Sequence, residues 1–125
     1  MTKGIKIDTD AFWQNGYLLI RDVFSKTEVE ELRKHVIELF PNGCGDILSK
    51  PFLREVLLDD RILDMAQKIL GGKPVYFGDS SCVKGKISYG WHKDNADRRD
   101  ANAPDWQSKY TLIRFGLYLQ DHSKH

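Results

Sequence analysis

Two cysteines, four prolines and a net charge of only +1 set the first limits on this chain. Two cysteines are too few for a disulfide-stapled miniature fold. Cys44 and Cys82 also lack the Cys-x-x-Cys spacing of a redox or zinc motif. They read as reduced thiols of a cytoplasmic protein, with one disulfide between them as the alternative. Neither sign of charge dominates, since 19 basic residues face 18 acidic ones. That balance excludes the electrostatic footprint of a nucleic-acid or anionic-membrane binder. No apolar run approaches the roughly 20 residues of a membrane span. The start, Met1-Thr2-Lys3-Gly4-Ile5-Lys6, leads into Asp8 and Asp10 with no apolar h-region, so a secretory signal is not expected. Repeats and low-complexity segments are missing as well. What is present is 125 residues, 41% hydrophobic and 30% charged, the composition of one globular domain with a core of its own.

The front of the domain, residues 1–72, reads as mainly helical with one short strand. Asp10 to Asn15 predicts a brief helix stopped by Gly16, a residue suited to a left-handed C-terminal cap. Tyr17-Leu18-Leu19-Ile20 has strand character. Ser25 and Glu28 then form a Ser-x-x-Glu capping box, with Phe24 and Val29 placed as a hydrophobic staple. Val29, Leu32, Val36, Leu39 and Phe40 fall on one stripe of the helix that follows. Glu30 and Lys34 are spaced for an i,i+4 ion pair on its wet face. Pro41-Asn42-Gly43 ends it. Ser49 is expected to cap a helix through Phe52, Val56 and Leu57. Asp60 is expected to cap another through Leu63, Ala66, Ile69 and Leu70, stopped by Gly71-Gly72.

From residue 73 to 125 the pattern changes to strands. Val75-Tyr76-Phe77 and Cys82-Val83 flank Gly78, and Lys84-Gly85-Lys86 reads as a turn. Ile87 to Asp94 is a strand. Asn95 to Lys109 is a long polar loop of the kind that often covers a site. Tyr110 to Gln120 carries the clearest alternation. Thr111, Ile113, Phe115, Leu117 and Leu119 make one face, and Tyr110, Leu112, Arg114, Gly116, Tyr118 and Gln120 the other.

Chemistry concentrates in Tyr89-Gly90-Trp91-His92-Lys93-Asp94. Residues i and i+2 of a strand share a face, so His92 and Asp94 project side by side. An imidazole and a carboxylate on one face are two of the three ligands of a mononuclear non-haem iron(II) site. A His-x-Asp alone is a weak signal, and a surface histidine beside a solvated acid is its bland alternative.

The context is more specific. Phe12-Trp13-Gln14-Asn15-Gly16-Tyr17-Leu18-Leu19-Ile20-Arg21-Asp22-Val23-Phe24-Ser25, followed by the capped helix, resembles the entry segment of the phytanoyl-CoA dioxygenase family. These are iron(II)- and 2-oxoglutarate-dependent oxygenases. Trp91-His92-Lys93-Asp94-Asn95 looks like that family's metal motif. Leu117-Tyr118-Leu119-Gln120-Asp121-His122-Ser123 is similar to the strand after it. The three segments occur in the family's order and cover nearly the whole chain.

The resemblance implies an α+β fold, with N-terminal helices packed on a double-stranded β-helix, or jelly roll. It implies that His92 and Asp94 bind Fe(II), that 2-oxoglutarate is the cosubstrate, and that dioxygen and a small organic molecule are the other reactants. Related halogenating enzymes lack the carboxylate, so Asp94 favours hydroxylation. The family's third ligand, a histidine on a later strand, and an arginine beyond it that pairs with 2-oxoglutarate have no counterpart before the chain ends at His125. The jelly roll is therefore expected to be incomplete, with four or five strands where about eight are needed. His122 reads as exposed, and His125 is the last residue.

Arg114 stands on the mixed face of its strand and is a candidate for binding a carboxylate, with a local ion pair to Asp94 or Asp121 as the alternative. Tyr76, Ser81 and Tyr118 are further candidates to hydrogen-bond a ligand. His35 lies off the apolar stripe and reads as a surface residue. Trp91 reads as core, while Trp106 either covers a pocket or anchors its loop. Two functional expectations from different classes follow. One is a 2-oxoglutarate-dependent dioxygenase, in whole or truncated form. The other is a catalytically dead remnant or interaction module completed by self-association, because an unfinished sheet exposes unpaired edges. A zinc hydrolase is a third reading, which also lacks its third protein ligand.

Overall fold

The computed structural model describes residues 5–84 and 112–121. The chain divides into two compact units, Met1–Lys84 with Gly116–His125, and Gly85–Phe115. In the first unit the described elements run α1 (Thr9–Asn15), α2 (Lys26–Leu39), β1 (Cys44–Gly45), a single 3-10 turn (Ile47–Ser49), α3 (Pro51–Leu57), α4 (Asp60–Leu70) and β2 (Ser81–Cys82). The fold is thus mixed, with helices and a small antiparallel sheet. Among the described residues no helix is long and apolar enough to cross a membrane.

Three of the four helices, α1, α2 and α4, begin where a side chain accepts from a backbone N–H that a helix terminus leaves open. At α1 the Asp8 carboxylate accepts from Ala11 N–H at 2.9 Å. Gly16, at φ 78°, closes the other end in the left-handed conformation and donates to Phe12 O. At α2 the capping box forms in both directions. Ser25 Oγ accepts from Glu28 N–H at 3.2 Å, and Glu28 Oε2 accepts from Ser25 N–H at 2.7 Å. Gly71, again left-handed, ends α4.

Two expected starts shift. The cap of α4 is Asp59 rather than Asp60, because the Asp59 carboxylate accepts from Arg61 N–H and Asp60 already lies in the first turn. Ser49 caps nothing. Its hydroxyl donates back to Asp46 O within the 3-10 turn, and α3 starts instead at Pro51, whose missing N–H and fixed φ suit the first helical position. Leu39 also leaves the stripe to which its spacing assigns it and is 56% exposed.

The core is where α2 meets α3 and the two strands. Leu32, Val36 and Leu53 are buried together. Phe40, Cys44, Ile47, Phe52, Val56, Cys82 and Leu119 pack around them. Met65, Ala66 and Ile69 form the buried face of α4.

The strand expectations fare differently. β1 and β2 pair with Cys44 opposite Cys82 and Gly45 opposite Ser81. Among the described residues Tyr17–Ile20 and Val75–Phe77 join no ladder, and neither does the described part of the Tyr110–Gln120 segment. A strand exists only when a neighbour takes up its N–H and C=O groups, and apolar alternation does not supply that neighbour. The expected apolar face is only partly covered: Ile113 and Leu119 are half-buried, but Phe115 and Leu117 are exposed, as are Leu112 and Tyr118 of the other face.

Among the described glycines, Gly43 is the one that the local packing demands. Its φ is +76°, and a Cβ there would stand 2.4 Å from Cys82 O. Only a residue without a side chain lets the end of α2 turn into β1 this close to β2.

Candidate functional site

The expected metal ligands, His92 and Asp94, lie outside the described residues, as do Trp91, Trp106, His122 and His125. Among the described residues no group of three His, Cys, Asp or Glu side chains is arranged to hold a metal ion. The four expected ligand-contacting residues are described. Tyr76 and Ser81 sit at the β2 edge of the first unit, Tyr118 lies further along the same unit, and Arg114 belongs to the second.

Around β2 the polar groups form a short relay. Ser80 is its hub rather than Ser81. Ser80 Oγ accepts from Ile47 N–H at 3.0 Å, and Ser80 O accepts from Asp46 N–H at 3.0 Å. The Tyr76 hydroxyl is hydrogen-bonded to Ser80 Oγ. These bonds fasten the segment before β2 onto the 3-10 turn after β1. Ser81 itself faces Gly45 across the ladder and is exposed. Tyr118 folds its ring back over Gly116. Arg114 and Tyr118 each have an interaction partner.

Among the described residues the largest polar constellation centres on Arg61. Its Nε and Nη2 fork onto the two Asp59 carboxylate oxygens at 2.8 Å each. Nη2 also donates to Glu28 Oε1 at 2.8 Å, and Nη1 donates to Glu28 Oε2 at 3.3 Å and to Val23 O at 3.1 Å. A guanidinium has five N–H donors, and all are used. The Phe24 ring lies under the guanidinium carbon, 4.1 Å from it. The Arg61 hydrogen bond, with help from Ser25, holds the Glu28 carboxyl down to about 2. Asp59 is likewise lowered, chiefly by its hydrogen bonds from Arg61, and Arg61 is raised in return. The groove at this point, about 230 Å³, is also lined by Leu32, His35, Phe52 and Val56. His35 is exposed, as its spacing predicts. Its Nδ1–H donates to Glu31 O at 2.8 Å, and its ring rests on Phe52 at 4.8 Å.

With every donor consumed inside the protein, Arg61 has nothing left for a ligand. Its work is to join the start of α2, the start of α4 and the Val23-Phe24 approach to α2. Nothing in the sequence near Arg61 announces this role, since Glu28 is 33 residues away. No family model matches the chain, and neither a curated protein nor a solved structure matches it.

Proposed function

We propose that this chain is an Fe(II)- and 2-oxoglutarate-dependent oxygenase of the phytanoyl-CoA dioxygenase type, acting in the cytoplasm on a small organic substrate. The observation that carries the reading is Trp91-His92-Lys93-Asp94-Asn95, set between an entry segment and a closing segment that both resemble that family. The capped helix α2, directly after the entry segment, is in keeping with it. The finer architecture proposed is helices on a jelly-roll sheet, of which β1 and β2 would be one paired edge.

Two of the three donors that such an ion takes are present in the motif. An imidazole nitrogen and a carboxylate oxygen are the ligand types of the facial iron(II) triad. His92 and Asp94 would hold the metal and leave coordination positions open. When bound, the iron supplies oxygen activation coupled to decarboxylation of 2-oxoglutarate. The chain's own task is recognition and orientation. Arg114 would pair with a carboxylate of cosubstrate or substrate.

Anaerobic titration of the protein with Fe(II) and 2-oxoglutarate tests this reading. A visible metal-to-ligand charge-transfer band is expected, and His92→Ala should abolish it. No band, or a band untouched by that substitution, sinks the assignment.

A specific observation favours the second reading, an interaction module completed by self-association. Tyr17, Leu19, Val75, Phe77 and Val83 are between 58% and 88% exposed in the first unit. Apolar side chains in this number on one small unit are what an association surface offers. Sedimentation velocity across a hundredfold range of concentration separates the two. A concentration-dependent dimer without metal affinity supports the module, whereas a monomer that binds Fe(II) supports the oxygenase.

A further inference from the structure

Cys44 and Cys82 are 38 residues apart in sequence, and the sheet sets them directly opposite each other. Directly opposed residues of an antiparallel pair have Cα atoms about 4.5 or about 5.5 Å apart, and their side chains leave the same face. Both separations lie inside the roughly 4.4–6.8 Å that a disulfide spans. The thiols are free, and each is only partly buried. Both pack on the core formed by Leu32, Val36 and Leu53, which keeps the two side chains on the same side of the ladder. Burial pushes the Cys82 thiol up, and the Cys44 sulfur adds to this across the ladder, so the two groups feel each other electrostatically. The backbone around them is held independently. Ser80 is bonded to Asp46 and Ile47, and Gly43 sits against Cys82 O.

We infer that Cys44 and Cys82 are a reversible dithiol–disulfide couple, closed by exchange with a low-molecular-weight disulfide such as oxidised glutathione. The Cys44 or Cys82 thiolate attacks one sulfur of the reagent. The reagent's S–S bond breaks, a mixed disulfide forms, and the first glutathione thiolate leaves. The opposing protein thiolate then attacks the protein sulfur of that mixed disulfide and expels the second glutathione. Two electrons pass from the protein to the reagent, and the two thiol protons end on two glutathione molecules. The product is a covalent strap between β1 and β2, ten residues ahead of His92 in the chain. In a reducing compartment the strap is open, and it closes as the thiol poise becomes oxidising. This inference does not depend on the oxygenase reading.

The full chain is equilibrated in glutathione buffers from fully reduced to fully oxidised, quenched with an alkylating reagent and weighed by mass spectrometry. The expected result is a single step from two alkylated thiols to none, with a loss of two hydrogens and no glutathione retained. The oxidised form should unfold about 10 °C higher than the reduced one, because the strap closes a long loop. Cys44→Ser and Cys82→Ser should each instead accumulate a glutathione adduct on the remaining thiol. Dibromobimane, which becomes fluorescent on bridging two neighbouring thiols, reads the same proximity in the reduced wild-type protein without any substitution. Wild-type protein that takes up two glutathiones, or forms disulfides only between chains, or gives no bimane fluorescence while folded, overturns the couple.

Discussion

The stretch from Thr9 to Leu70 and the stretch from Val75 to Lys84 obey different rules. In the first, helix ends are set by groups a few residues away: Asp8 and Gly16 for α1, Ser25 with Glu28 for α2, and Asp59 with Gly71 for α4, while α3 starts at Pro51 with no side-chain cap. In the second, apolar residues such as Val75 and Phe77 stand 88% and 75% exposed, and among the described residues only Ser81 and Cys82 of this stretch join a ladder. The difference is one of range. A helix satisfies its own backbone, whereas a strand depends on another segment of chain. Helical segments therefore fold to their caps, and strand-like segments take the structure that their neighbours allow.

That contrast can be broken most forcefully at the core under α2 and α3. Leu53 is 5% exposed and packs with Leu32 and Val36. Leu53→Ala should cost about 3 kcal/mol in urea-induced unfolding. Gly43→Ala comes next, at about 2 kcal/mol by the same measurement, since it combines a left-handed φ with a Cβ against Cys82 O. A cost near zero there would mean that β1 and β2 contribute little to stability.

Acid titration probes the Arg61 hub. Glu28 is held at about 2 against an ordinary 4.5, and Asp59 is also lowered. Depressed carboxyl groups favour the fold at any pH above their ordinary values, and that contribution is lost as pH falls through the folded ones. Stability should therefore decline from pH 4.5 toward about 2, and Arg61→Met should flatten the decline. An unchanged acid limb in the variant would remove the hub from the account.

Smaller effects sharpen the comparison. Ser25→Ala should cost about 1 kcal/mol through loss of the capping box. Phe77→Ser, in the exposed stretch, should change stability by no more than about 0.5 kcal/mol. If Phe77→Ser instead proves the costlier of the two, that side chain is covered in solution, and association becomes the favoured reading.

Much of the helical front is legible in the sequence. The Ser25–Glu28 box, the Gly16 and Gly71 stops and the stripe through Leu32 and Val36 all follow from patterns within a turn or two. The one-residue shift from Asp60 to Asp59 arose because adjacent aspartates compete for one cap, and Arg61 decides between them. Ser49 caps no helix because its hydroxyl has a nearer acceptor in Asp46 O. Of the expected site, Tyr76 proves engaged with Ser80, a residue that its spacing does not single out. His92 and Asp94 remain a reading of the motif.

By itself the sequence determined that α1, α2 and α4 form, where Gly16 and Gly71 stop two of them, and which residues of α2 face the core. These depend on bonds and contacts between residues at most about four apart. Only the tertiary structure decided that Cys44 faces Cys82, that Gly43 must be a glycine, and that Arg61 spends every donor on Asp59, Glu28 and Val23. Each of those facts joins residues distant in the chain. Such pairings are set by which surfaces exclude water together, and no local pattern encodes them.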